Sequence, residues 1–378
     1  VVHYLDNAAT TLVRQSAIDA MLPALTEVYG NPSGAHRMAR AANHVLDDAR
    51  DVVAAALGAE PGQVVFTAGG TEADNLAIRG VVDARGGIPV CSAVEHHAVL
   101  DPVEHLGGRV VAVGADGRVD LDALAAVLDD SVAVVSVMLA NNETGIVQPV
   151  AEVVEVVRRL APGALVHTDA VQAVCWLDVA EAAAGADMIS ISAHKFGGPK
   201  GVGALVVGDR VELQPLFMGG GQERDRRGGT QNVPGIAAMA AALAEVVTER
   251  PTAVGRVAAL RDRLADGIRH AVDGVTESGV PERDRSAKTP NICHLCFEGI
   301  ESEALLFLLE KEDIMASAAS SCASGAMDPS HVLAAMGFSR ELAGGSLRLS
   351  LGYGSTEDDV DAALAAVPAA VAQLRARG

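Results

Sequence analysis

Lysine is scarce in this chain of 378: of 29 basic side chains only Lys195, Lys200, Lys288 and Lys311 are lysine. Long apolar runs are missing too. VAVVSVMLA stops at nine residues, far short of the roughly 18 to 20 that a membrane span needs. The N-terminal VVHYLDNAATT has no basic region leading into an apolar stretch, so no secretion signal is expected. Positive charge is in short supply, and a formal net charge of −20 repels nucleic acid and anionic lipid over most of the surface. The one dense basic patch is ERDRRGG at 223–229. Cysteine gives an odd and scattered count of five (Cys91, Cys175, Cys293, Cys296, Cys322), unlike a disulfide framework. These absences exclude membrane and direct nucleic-acid partners and lead us to expect a cytoplasmic protein.

What is present is a packed core: 49% hydrophobic residues and 39 glycines. Between about 14 and 210 the β-branched runs QVVFTAG, IPVCSAV, RVVAVGA, VAVVSVMLA, ALVHTDA, DMISIS and GALVVGD occur, several separated by amphipathic stretches such as VAEVVEVVRRLA. The alternation predicts an α/β fold, a mostly parallel seven-stranded sheet flanked by helices. Beyond PGIAAMAAALAEVV we expect a separate long helix near 252–273 and a Pro- and charge-rich link, GVPERDRSAKTPN. Strands and helices then alternate as a smaller α+β domain. The expected division is 14–250 for the large domain, with 1–13 and 251–378 forming the small one.

Ligands of such sheets bind beyond the carboxyl ends of the strands. FTAGGTEADN puts Gly69, Gly70 and Thr71 between a strand and a helix, either a phosphate cradle or an ordinary capped turn. VEHHAV follows the next strand with His96 and His97, each open to a plain surface or core reading. ANNETG presents Asn141, Asn142 and Glu143. HTDAVQ presents Asp169 and Gln172; a carboxylate there caps a helix or holds a heteroaromatic nitrogen protonated. SISAHKFGGPKGVG, at 190–203, then supplies Ser192, His194 and two of the four lysines. Unlike arginine, a lysine can lose its proton when desolvated and become a nucleophile. Lys195 directly follows a strand end, whereas Lys200 lies past a Gly-Gly-Pro turn and is read as shaping that turn or pairing with a local carboxylate. Together these residues describe a site for a phosphate-bearing aromatic cofactor beside a lysine.

No metal is expected. Cys293 and Cys296 in CHLC have no matching second pair, and in a strand residues three apart face opposite ways. Cys322 differs, lying in ASAASSCASGAMDPSH among small and hydroxyl residues, with nothing bulky to bury it and in a setting that suits a nucleophile.

The motifs SISAHKFGGPKGVGAL, FTAGGTEADNLAI, VEHHAV, ANNETG, HTDAVQ, GGGQERDRRGGTQNV and SSCASG…DPSHVL, in order from YLDNAATT to SLRLSLG, resemble the pyridoxal-phosphate-dependent cysteine desulfurases of the class V aminotransferase group, fold type I. The resemblance implies that Lys195 links covalently to pyridoxal 5'-phosphate and moves the substrate's α-proton, and that Asp169 pairs with the ring nitrogen. His96 would stack on the ring and assist proton transfer, with Gln172 and Asn142 on its phenolic side. Gly70, Thr71, Ser192 and His194 would hold the phosphate, joined by Thr230 from the partner of a homodimer. Arg348, aided by Asn31, would clamp the carboxylate of L-cysteine, and Cys322 would receive its sulfur as a persulfide and pass it to a protein acceptor in iron–sulfur cluster assembly or a thio-modification. The alternative is a selenocysteine lyase or another class V C–S lyase. The chain departs from the pattern at Ala319 and Ala323 in the cysteine loop and at Asp225, which stands where the family has glycine.

Overall fold

The seven β-branched runs form seven strands of one sheet in the computed structural model, which describes residues 1–280, 284–318 and 330–376. After a two-residue strand β1 (His3–Tyr4) come β2 (Val64–Thr67), β3 (Ile88–Ser92), β4 (Arg109–Val111), β5 (Val132–Ser136), β6 (Leu165–Asp169), β7 (Met188–Ser192) and β8 (Gly203–Val207). Their order across the sheet is β2-β8-β7-β6-β5-β3-β4, and only the pairings made by β8 are antiparallel. Strands β5 to β8 are buried at every residue, as near-continuous apolar runs covered on both faces must be. The carboxyl ends of β3, β5, β6 and β7 therefore open along one edge.

A second sheet is antiparallel, ordered β12-β10-β9 from β9 (Val275–Glu277), β10 (Ile292–Phe297) and β12 (Ser346–Ser350). Beside it, β1 pairs in parallel with β11 (Ile314–Met315). Cys293 and Cys296 are both buried in β10 and pack into separate apolar clusters. Strand β9 was not expected: its VTE stands between Gly274 and Gly279 without the longer run of β-branched residues that marks β4. The expected separate helix near 252–273 is the second half of one 39-residue helix, Val233–Ala271, with Pro251 inside it. An internal proline costs about 3 kcal/mol. The helix continues because its first half (Ile236, Met239, Leu243) is buried in the core around the large sheet and its second half (Leu260, Leu264, Ile268) in the core of the small one. The charged link also packs. Lys288, Thr289 and Asn291 are buried, and Val147 N–H donates to Ala287 O at 2.8 Å while Thr289 N–H donates to Gly145 O at 2.8 Å. Among the described residues no helix is long and apolar enough to cross a membrane.

Glu223, Arg224 and Asp225 take left-handed φ values of 48°, 58° and 63°, a conformation that favours glycine and costs other residues about 1 kcal/mol or more each. The Glu223 carboxylate holds this turn: it accepts from Arg50 Nη1 (2.9 Å) and Nη2 (3.0 Å), Phe66 N–H (2.9 Å) and Gln231 Nε2 (3.1 Å). Truncating one partner of a buried pair strands the other charge, so Glu223→Ala is expected to lower stability by about 3 kcal/mol or more, measured by urea denaturation. Asp225→Ala, at an exposed position, is expected to cost far less.

Candidate active site

The open edge of the sheet and the small sheet enclose a cavity of about 330 Å³. Into it β7 and its following turn bring Ser192, His194 and Lys195; β6 brings Asp169 and Gln172; the segments after β5 and β3 bring Asn142 and His96. Gly70 and Thr71 enter from the helix Gly70–Arg85, and Arg348 enters from β12. Ten of the expected site residues thus meet. Asn31 and Thr230 do not: both are exposed and outside the cavity lining, and Asn31 uses its Oδ1 to accept from Ser33 N–H at 3.0 Å. Cys322 lies outside the described residues, as do Ala319 and Ala323. Lys200 is exposed at the rim of an adjoining cavity of about 790 Å³.

Lys195 sits at the end of a single 3-10 turn, Ala193–Lys195, that stops β7. Its Nζ donates to Ala8 O at 2.6 Å and Ala9 O at 2.8 Å. Burial pushes its pKa down to about 8, the charge of Arg348 pushes the same way, and Asp169 and Asp6 resist. Asp169 accepts from Val171 N–H at 2.8 Å, and burial raises it to about 6 against that bond and the pull of Lys195.

One end of the cavity is shaped for an anion. Gly69 caps the helix at φ +149°, a conformation for glycine, and a Cβ on Gly70 would come within 2.9 Å of Val171 Cγ2 and 3.4 Å of Ser192 Cβ. The free N–H groups of that helix start face the cavity beside Ser192. His194 shares a 3.2 Å hydrogen bond between Nδ1 and Thr10 Oγ1, and burial, then Lys195 and Lys200, hold its pKa down at about 4. His96 caps the helix His97–His105 by accepting from Ala98 N–H through Nδ1 at 3.1 Å, so a neutral ring carries its proton on Nε2. Burial, then Lys195, holds its pKa below the ordinary value.

Sequence reasoning missed the groups around and under this constellation. Ala8 and Ala9, in a segment assigned above only to the small domain and to the start of the family resemblance, line the cavity. Asp74 is buried one helical turn after Gly70, and its Oδ1 lies 3.6 Å from His167 Nε2. His167 is bracketed by Ser136 Oγ on Nδ1 and Ser190 Oγ on Nε2, each at 2.8 Å, and burial pushes it down to about 3. Burial and the nearby Asp169 raise Asp74 well above the usual carboxylate range. Glu95 accepts from Ser92 Oγ (2.5 Å) and Met138 N–H (2.9 Å), and burial raises it to about 8. The i, i+4 spacing of Gly70 and Asp74, which puts both on one helix face, was the available signal.

A family model described as aminotransferase class-V matches residues 3–363. The chain belongs to that family. Within it the relatives are cysteine desulfurases: an IscS-like cysteine desulfurase of Mycobacterium tuberculosis is 45% identical over 98% of this chain and 97% of its own. A solved NifS-like protein superposes with TM-score 0.90 at 35% identity, covering 99% of this chain and 100% of that one. A structure titled SspA in complex with cysteine has TM-score 0.78 at 30% identity over 92% of this chain and 98% of that one.

The buried acid under this desulfurase cavity has a pH signature. A carboxyl whose folded pKa is raised stabilises the fold below its unfolded value, and that stability is lost as pH rises through the folded value. For Glu95 the window runs from about 4.5 to about 8. Glu95→Gln keeps the Oε1 acceptor but cannot ionise. Its melting temperature is therefore expected to gain on the parent's from pH 5 to about pH 8 and to hold that gain above it, and a constant difference across the range would contradict a protonated Glu95.

Proposed function

We propose that this chain works as a pyridoxal-phosphate-dependent cysteine desulfurase, taking the sulfur of L-cysteine, releasing L-alanine and holding the sulfur as a persulfide on Cys322 for a protein acceptor. The observation that carries the reading is a desolvated lysine, Lys195, with pKa about 8, sharing one cavity with a carboxylate, an anion cradle and a buried arginine. The residues fit the cofactor. Gly70 has no room for a side chain, which leaves backbone N–H groups for a phosphate, and Asp169 is suited to a protonated ring nitrogen. Thr71, Ser192 and His194 would complete the phosphate end and Gln172, Asn142 and His96 would hold the ring, all of them lining the one cavity. Bound there, pyridoxal phosphate supplies a conjugated system that takes up the electron pair left when the Cα–H bond breaks.

The side chains then divide the work. Arg348 binds the substrate carboxylate through N–H groups left over from its bonds to Asn142 and Asp6. A pKa near neutrality lets Lys195 accept the Cα proton and return it. Neutral His96 presents Nε2–H to the same space. Cys322 as thiolate takes the substrate sulfur, so that cysteine and enzyme thiol become alanine and enzyme persulfide with no outside oxidant. A structure of a relative titled as a complex with cysteine supports the substrate class. The exposure of Thr230 supports a homodimer in which it serves the partner's phosphate. We also read residues 14–250 and the remainder as large and small domains, and iron–sulfur assembly or another thio-modification in the cytoplasm as the setting.

Cys322→Ala is expected to abolish alanine release from L-cysteine while leaving the yellow cofactor band intact. Lys195→Ala is expected to give a protein that borohydride cannot label with the cofactor. Arg348→Lys replaces a fork with a point charge, and its KM for L-cysteine is expected to rise about tenfold or more in steady-state assays. Full alanine release by Cys322→Ala would sink the persulfide mechanism.

A further inference from the structure

The N-terminal segment touches both cations of the cavity. Arg348 is buried, with Nη1 donating to Asn142 O at 2.8 Å and Nη2 donating to Asp6 Oδ1 at 2.8 Å. Asp6 is tied to the strand that carries this arginine: it bridges Ser350, while Ser350 N–H donates to Leu5 O at 2.7 Å and Asn7 N–H donates to Ser350 O at 3.2 Å. Two and three residues further on, the carbonyls of Ala8 and Ala9 take the Lys195 ammonium. One short stretch therefore supplies the carboxylate on the guanidinium and the acceptors on the amine. A guanidinium has five N–H donors, so each Nη keeps one for an incoming carboxylate. Asp6 fixes the fork without filling it.

The charges explain why a carboxylate is needed there. Arg348 and Lys195 line the same cavity, and the guanidinium's charge discourages a second positive charge on the amine. Among the described residues Asp6 is the one carboxylate hydrogen-bonded to Arg348, and of the other groups facing the two cations only Glu143 also carries charge that offsets the arginine. Asp169 faces Lys195 from β6 and balances the amine itself. His96 and His194 are held toward the neutral form by burial and by Lys195. Glu143, after β5, accepts from Ser330 Oγ and is raised to about 7 by burial against the pull of Arg348, so its charge is present where Lys195 titrates and is common to the parent and the Asp6 variants. His294, opposite Arg348 on β10, is pushed down to about 3 by burial, then Lys288 and Arg348. Tyr4 is raised by burial, then by Asp6, which keeps it neutral.

We propose that Asp6 is a positioning residue: by holding the Arg348 guanidinium and offsetting its charge, it keeps Lys195 a stronger base than it would be beside a bare arginine. The proposal rests on the functions given above to Lys195 and Arg348.

The scarcity of lysine makes the test direct. In the full-length apoprotein labelled with 15N-lysine, four Nζ signals titrate, and Lys195→Ala identifies the one of interest. Asp6→Asn is expected to lower the Lys195 midpoint from near 8 by about one pH unit, as loss of a nearby opposite charge does. Lys288, buried in a separate cluster with its own midpoint near 8, reports that the variant is folded. Asp6→Glu keeps the charge and is expected to keep the parent midpoint. An unmoved midpoint in folded Asp6→Asn, or an Asp6→Glu midpoint that falls as far as that of Asp6→Asn, overturns the proposal; should Asp6→Asn fail to fold, Asp6→Ser, which also removes the charge, takes its place with the same two outcomes. The titration involves no turnover. Its failure would leave desulfuration standing, whereas loss of alanine release by the parent enzyme would overturn the functional reading and leave the titration result intact.

Discussion

Two backbone carbonyls, those of Ala8 and Ala9, hold the Lys195 ammonium where the sheet alone would leave it in a desolvated hole. A buried amine without acceptors would shed its proton or recoil into solvent. With acceptors on a fixed main chain it stays in place at a pKa near neutrality. The rest of the architecture serves that arrangement. The large sheet delivers the lysine on a central strand, the small sheet delivers Arg348, and the N-terminal segment closes the gap by hydrogen-bonding to both. Thr11 adds two further ties, its N–H and Oγ1 donating to His194 O at 2.9 Å and 3.0 Å.

Under the cavity the balance of charge is set by burial rather than by pairing. Asp74, Glu95 and Asp169 lie close together, and the two without a cation at hand are pushed furthest toward the protonated form. His167 does not neutralise them, because its own burial keeps it uncharged between two serines. Asp169 is the member of the trio that faces Lys195, so negative charge settles where a cationic ring would meet it. A protein of net charge −20 thus concentrates its few useful cations in one place and keeps surplus acids there protonated.

The sheet was legible because each of its strands is a run of β-branched residues long enough to show its pattern. The meeting of Lys195, Asp169, Ser192 and the Gly70–Thr71 turn in one cavity was legible because strand ends put polar residues directly after those runs. Two kinds of feature were not. Pro251 reads as a helix stop, and only burial of both flanking halves in two different cores keeps the helix Val233–Ala271 continuous. Asp6 and the carbonyls of Ala8 and Ala9 act across more than 180 residues of chain, and a backbone carbonyl carries no mark in a sequence. Asp74 and His167 sit at positions where a polar residue reads as solvent-facing, and their meaning lies in the serines and strands that enclose them.

The pairing of β1 with β11, and of Asp6 with Ser350, also sets an order of assembly. Residues 3–6, made early, wait for residues 314–350, made some 310 to 340 positions later, before they have a strand to join. A nascent chain can complete the seven-stranded sheet, Lys195 included, once residue 207 has emerged. The wall that steadies that lysine needs some 140 residues more, since loops this long close late. Until then the amine sits in an unfinished pocket, and its hydrogen-bonding partners are in place only once the small sheet has formed.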